Sequence, residues 1–254
     1  MVVCNNFSRR EDSVTHECRP KFSRRQLIEA LIAGLALPSA ALAQNSKPKI
    51  GFIGAGHIGG TLAKLWTEAG YEVTLSARDL GPVKELAAQL GPNAQAGTPQ
   101  QAAAWGDVVV VTVPYSALPQ IGRDYAAQLK GKIVIDTCNP YLGRDGDMAK
   151  DAIAKGTGVM DPIYLPGTRL VRAFNSITYA ELARDGHHPG QLYGIELAAD
   201  DPEALIVVKR LVTDAGYEPV VVGGLSTAKK FDQGAPVYPK AMLASDMRAA
   251  LGLK

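Results

Sequence analysis

Residues 51–60 read GFIGAGHIGG, five glycines in ten positions, and no other stretch restricts the fold as much. Glycine inside a regular element costs roughly 0.5–1 kcal/mol relative to alanine, so such a run belongs where the backbone turns sharply or passes close to something. The flanks say which. Lys49–Ile53 reads as a strand. His57–Ala69 reads as a helix, with Ile58, Leu62, Leu65, Trp66 and Ala69 on one face at helical spacing. Gly70 suits the left-handed residue after a helix end. Gly54, Gly56 and Gly59 therefore form G-x-G-x-x-G between a strand and the helix it opens, the context that gives this motif its weight. Gly54 permits the tight turn. Gly56 lacks the Cβ that would hold a pyrophosphate off the backbone, and Gly59 lets the helix lie close on the strand. Free N–H groups and the dipole at the helix start then attract phosphate.

The strand–helix alternation continues. Glu72–Ser76 is the second expected strand and Val83–Leu90 the second helix, ended by Gly91 and Pro92; a short strand lies near Ala94–Ala96. Thr98, Pro99 and Gln101 have the order of a capping box with proline at the first helical position. The run DVVVVTVP, from Asp107, is too uniformly apolar for a half-exposed sheet and predicts a strand covered on both faces. A helix within Ser116–Leu129 and a strand at Lys132–Asp136 follow. Such alternation predicts βαβ units and an α/β fold with a parallel sheet. Residues 141–168 are rich in Gly, Asp and Pro and read as mostly irregular, with one short helix at Met148–Ala154. Then come a strand at Arg169–Phe174, a helix at Ile177–Arg184, a strand at Leu192–Ala199, a helix at Glu203–Ala215 opened by Asp201 and Pro202, and a strand at Glu218–Val222. The expected organisation is a nucleotide-binding domain over 47–172 and a small α/β domain over 173–254.

The end of the second strand selects the dinucleotide. NAD enzymes usually carry Asp or Glu there to bind the ribose 2′-OH. Here Ser76 holds the place, in LSARD, with Arg78 beside it. A hydroxyl and a guanidinium suit a 2′-phosphate, which a carboxylate would repel. NADP(H) is the expected cofactor, with Asp79 as the counter-indication.

The order GxGxxG, LSAR, DVVVVTVPY, KIVIDTCNPY, LPGTRLVRAFNS and VVVGGL resembles the NADP oxidoreductases that use the deazaflavin coenzyme F420. It is similar, more distantly, to the reductase domain of STEAP-type metalloreductases and to pyrroline-carboxylate reductases. The resemblance runs from about Lys49 to Leu225. It implies a Rossmann doubly wound sheet followed by a small C-terminal domain, with an acceptor in the cleft between them. It places Ala55, Gly56, His57 and Ile58 against the pyrophosphate, Ser76 and Arg78 on the 2′-phosphate, and Val113 and Pro114 beside the nicotinamide ribose. Asn139 and Pro140 follow the next strand at the ligand-binding edge of the sheet. Asn139, Phe174 and Asn175 are the residues implied to face the acceptor. The implied activity is hydride transfer between NADPH and a deazaflavin or flavin. Reduction of another small acceptor (an imine, a ferric chelate, an electron carrier) and NADP binding without turnover are the alternatives. The cofactor carries such chemistry and the protein orients it, so no catalytic dyad is required and none is read.

The first 43 residues read as a targeting segment. Ser23-Arg24-Arg25-Gln26-Leu27 resembles a twin-arginine export signal, an apolar run follows from Ala30 to Leu37, and Ala41-Leu42-Ala43 has the A-x-A form of a cleavage site. The expected location is periplasmic or exported through the Tat machinery, with cytoplasmic retention the alternative. The segment holds six basic and four acidic residues, so the remainder is neutral at 21 of each and gives no electrostatic footprint for nucleic acid. No apolar run reaches the roughly 18 residues of a membrane span. Cys4 and Cys18 precede the cleavage point, leaving Cys138 without an internal disulfide partner. No metal site is expected. The apolar segment Ala241–Leu253, together with the family resemblance, suggests a homodimer.

Overall fold

The computed structural model describes residues 47–253, and the proposed targeting segment, with Cys4 and Cys18, lies outside them. The body opens with β1 (Ile50–Ile53) and α1 (His57–Glu68). Next come β2 (Val73–Leu75), α2 (Leu80–Leu90), β3 (Ala94–Ala96), α3 (Pro99–Trp105) and β4 (Val108–Val111). A 3-10 turn at Tyr115–Ala117 leads into α4 (Leu118–Asp124) and α5 (Ala126–Leu129), then β5 (Ile133–Asp136). The remaining helices and strands are α6 (Leu142–Lys155), α7 (Thr157–Tyr164), β6 (Arg169–Ala173), α8 (Tyr179–Arg184), β7 (Gly194–Ala199), α9 (Pro202–Asp214), β8 (Glu218–Gly223) and α10 (Ala244–Leu251).

All eight strands form one sheet, in the order β3-β2-β1-β4-β5-β6-β7-β8. Pairing is parallel from β3 through β6, antiparallel between β6 and β7, and parallel again between β7 and β8. The strand order reverses between β1 and β4, and such a switch point opens a crevice at the carboxyl ends of the strands. The glycine loop leaves β1 at that crevice.

The valine run behaves as its composition demands. Val108 and Val110 pack into the core on one face of the sheet, Val109 and Val111 into the core on the other, and all four are buried. The two capped helices also form as read: Thr98 and Gln101 close a capping box on α3, and Asp201 accepts from the N–H groups of Glu203 and Ala204 at the start of α9.

Strands from residues 173–253 add to this sheet. β7 and β8 extend it from β6, and the body from Lys47 on is one compact unit. The buried Trp66 of α1 donates its indole N–H to the Leu211 carbonyl of α9 at 2.8 Å, and Tyr71 donates to Asp214. The expected boundary at 172 therefore falls at the end of β6, where the pairing changes direction while the core stays continuous. Ala244, Met247 and Leu251 of α10 are buried in this chain's own core, so their apolar character is already used within the chain.

One stretch differs from the sequence reading. Residues 141–168 hold two helices, α6 and α7, in place of one short helix and loop. Gly146, at φ 58°, kinks α6, and Gly156, at φ 96°, separates it from α7. The buried positions of both helices are largely small or polar (Asp145, Ala149, Ala152, Thr157, Gly158, Asp161), which erases the apolar periodicity that reveals a helix.

Candidate functional site

The loop after β1 is built around three glycines with different tasks. A Cβ on Gly54 would lie 2.3 Å from the Thr112 carbonyl oxygen, and its φ of 104° already excludes most side chains. A Cβ on Gly59 would lie 2.3 Å from the Gly54 carbonyl oxygen and 2.6 Å from Thr112 Oγ1. These two glycines let loop, helix and β4 press together. A Cβ on Gly56 would meet no atom within 4 Å. The structure has no packing need for glycine there, so the open space above its backbone is left for a ligand to approach. This is the cradle that a pyrophosphate requires at a helix N-terminus.

Thr112, which sequence reading passed over, locks this loop. It directly follows β4, and its hydroxyl donates to the Gly54 carbonyl at 2.6 Å. Ala55, Gly56, His57, Thr61 and Lys64 line a groove of about 680 Å³ beside the loop. Ile58 packs half-buried against the core. The exposed His57 ring stacks on Tyr179 of α8, with centroids 4.4 Å apart and planes 19° from parallel.

The 2′-phosphate pair is divided by the structure. Ser76 is fully buried and donates its hydroxyl to the Phe52 carbonyl, tying β2 to β1, so it is not presented to a ligand. Arg78 is exposed at the strand end. Asp79, the counter-indication, caps α2 by accepting from the Gly81 N–H at 2.9 Å. Of the two, only Arg78 is open to solvent.

Val113 and Pro114 follow Thr112 along the crevice, Val113 half-buried and Pro114 exposed. Further along the same edge, Asn139 and Asn175 clasp each other. Asn139 Nδ2 donates to the Asn175 carbonyl at 2.7 Å, and Asn175 Nδ2 faces Asn139 Oδ1 at 3.4 Å and the Phe231 carbonyl at 3.3 Å. Arg144 donates to the Asn139 carbonyl at 2.7 Å. A cavity of about 420 Å³ opens beside Pro140, Gln233 and Pro236, with Asp232 in its wall. Phe174, implied by the resemblance to face the acceptor, has its side chain buried in the core. It is 1% exposed and stands edge-on to Trp66 in the core, with its backbone at φ 60°. A bulky residue rarely holds that conformation, and here the indole of Trp66 and the asparagine clasp next to it fix it in place.

Beneath the clasp lies an ionic cluster that sequence reading missed. Arg172, wholly buried in β6, stands 3.3 Å from Asp136 of β5, 3.3 Å from Asp161 of α7 and 3.6 Å from Asp232. It also donates to the carbonyls of Cys138 at 2.8 Å and Asp136 at 3.3 Å, the turn that delivers Asn139. Tyr115 donates to Asp161, and Asp232 accepts from the N–H and hydroxyl of Thr157. Burial alone would lower the basicity of Arg172, but the neighbouring carboxylates outweigh it and hold the guanidinium charged. Burial, then Asp136, pushes Asp161 well above the ordinary carboxyl range. Burial likewise keeps the Cys138 thiol protonated and unreactive. The sequence did carry a signal: strand alternation puts Asp136 on the same face as Val134, and Arg172 on the same face as Leu170, which are core positions.

The family model described as NADP oxidoreductase, coenzyme F420-dependent, matches residues 49–140. The chain is 28% identical over 197 residues to the F420-dependent NADP reductase of Methanothermobacter thermautotrophicus, covering 72% of this chain and 84% of that one. It is 26% identical over 200 residues to metalloreductase STEAP3 of Rattus norvegicus, covering 76% of this chain but only 38% of that protein. The crystal structure of a hypothetical protein from Sinorhizobium meliloti shares the fold, with a TM-score of 0.69, 24% identity, and 81% of this chain and 99% of that one covered. Over residues 49–140 the chain resembles the coenzyme F420-dependent NADP oxidoreductases, and its similarity to an NADP reductase extends over most of the body.

Proposed function

We infer that this protein transfers hydride between NADP(H), seated on the glycine loop, and a deazaflavin or flavin acceptor at the carboxyl edge of β5 and β6. The observation that carries the reading is Gly56, a glycine with empty space over it between two glycines that have none. The cofactor supplies the hydride. The chain supplies the loop amides for the pyrophosphate, Arg78 for the 2′-phosphate, and the Asn139–Asn175 clasp as a rigid wall at the edge. A cavity of about 420 Å³ beside Pro140 supports room for a small planar acceptor near that wall. Following NADPH absorbance while offering coenzyme F420, FMN, a ferric chelate and a cyclic imine in turn tests the reading. Oxidation is expected with a flavin-like acceptor. Tight NADP binding with no oxidation by any of them would leave a binding protein instead.

Arg78 provides a separate check. An Arg78→Glu variant should lose about tenfold or more in NADP affinity, the worth of one charge-assisted contact, while NAD affinity changes little. Equal losses for both nucleotides would remove the phosphate assignment. The amino-terminal segment supports export of a folded, nucleotide-loaded protein by the twin-arginine route. Fractionation of cells expressing the chain with Arg24 and Arg25 replaced by lysine tests it, since the substituted chain should stay in the cytoplasm.

A further inference from the structure

The His57 side chain is exposed, yet it is not loose. Its ring lies face to face with the ring of Tyr179, centroids 4.4 Å apart and planes 19° from parallel. Tyr179 is itself 48% exposed, so burial does not account for a tyrosine at that place on α8. Its backbone is fixed from several sides. Thr178 and Glu181 close a capping box at the start of α8. Leu182 packs in the same core as Leu65 and Trp66 of α1, and Tyr217 donates its hydroxyl to the Leu182 carbonyl at 2.7 Å. A ring carried by the first residue of so anchored a helix can hold a partner still.

His57 has the matching place on α1, the first residue after Gly56. This helix opens with no side-chain cap at Gly56 and no acidic residue in its first turn. Gly56 and His57 line the same groove, and Ala183, one turn after Tyr179 on α8, lines it as well. Stacking uses the faces of the imidazole and leaves its two nitrogens, which lie at the ring edge, free to meet a ligand. Among the described residues His57 is bonded through its carbonyl, which accepts from the Thr61 hydroxyl at 2.8 Å, and not through its ring.

We propose that Tyr179 is a positioning residue for the dinucleotide. It holds the His57 imidazole at the cradle, where a ring N–H donates to a pyrophosphate oxygen beside the amides of α1. This rests on the nucleotide reading above and deepens it, adding a side chain to a phosphate site otherwise made of backbone. A free surface side chain loses rotamer freedom when it meets a ligand, and that loss weakens binding. The stack removes the freedom beforehand, within the folded protein. Tyr179 acts through His57.

Calorimetric titration of the whole protein with NADP, and with 2′-AMP as a probe that has the 2′-phosphate and no pyrophosphate, tests the assignment. His57→Ala should weaken NADP about tenfold and leave 2′-AMP unchanged. Tyr179→Ala should weaken NADP about three- to tenfold, whereas Tyr179→Phe, which keeps the stack, should bind within about twofold of the wild type. A variant carrying both His57→Ala and Tyr179→Ala should lose no more than His57→Ala alone, because the tyrosine has nothing left to hold. Thermal melts on the same preparations show that each variant is folded. Tyr179→Ala binding NADP as tightly as the wild type, or more tightly, overturns the proposal. So do losses that add in the double variant, or that fall equally on 2′-AMP. If the wild type binds neither nucleotide, the nucleotide reading itself fails and the positioning role falls with it.

Discussion

Replacing Gly56 by valine should leave the protein folded and unable to hold NADP(H), while replacing Gly59 by alanine should destabilise the fold itself. The two positions lie three residues apart in one motif, yet their surroundings are opposite. Gly56 has an ordinary φ of −75° and no neighbour within 4 Å of an added Cβ. A larger side chain there costs little within the protein, below about 1 kcal/mol for a poorer helix cap. It does fill the space a pyrophosphate needs. Losing one or two charge-assisted contacts from loop amides, at about 1.5–3 kcal/mol each, lowers affinity roughly ten- to ten-thousandfold. At Gly59 the new Cβ would sit 2.3 Å from a backbone carbonyl that cannot yield without moving β1 or β4. Overpacking of that kind costs about 1–3 kcal/mol. Gly54→Ala should be worse still, since a φ of 104° adds backbone strain to a 2.3 Å overlap with Thr112. Calorimetric titration with NADP and thermal melts, run on the same preparations, separate the cases. If Gly56→Val bound NADP like the wild type, the space over Gly56 would not be a nucleotide site.

The sequence disclosed the parts of this fold in which local pattern and tertiary role coincide. The valine run announced a strand buried on both faces because four consecutive apolar residues leave no face for water. Thr98 with Gln101, and Asp201 with Pro202, announced helix starts because capping is settled within four residues. The glycine loop was legible because its spacing encodes a backbone path. What failed to show was set by partners distant in sequence. Ser76 occupies a ligand position by spacing, but the carbonyl of Phe52, 24 residues earlier, takes its hydroxyl. Phe174 ends a strand at the right edge, but Trp66 draws it into the core. α6 and α7 hid because their inward faces carry alanine and aspartate, and those aspartates become intelligible only once Arg172 is seen to meet Asp161 from β6. The charged cluster is the extreme case, since Asp136, Asp161, Arg172 and Asp232 span nearly a hundred residues and are joined only by register and packing.

That cluster sets the largest stability effect expected of any single side chain. Arg172→Met removes the one cation and keeps the carboxyls, so Asp136 and Asp161, both without exposure, face each other with no counter-charge. Removing one partner of a buried ion pair typically costs about 3–5 kcal/mol. For a body of this size that corresponds to roughly 6–20 °C in melting temperature. Arg172→Lys should recover only part of the loss. Its single ammonium keeps the charge but cannot reach the Asp136 and Cys138 carbonyls while also facing Asp161 and Asp232, as the planar guanidinium does. Adding Asp161→Asn to Arg172→Met should restore stability relative to Arg172→Met alone, because the amide fills the same space without charge and can accept from Tyr115 as the carboxylate does. A double variant no more stable than Arg172→Met would mean that the guanidinium acts chiefly by filling volume, and the melting curves of the three variants distinguish that from charge balance.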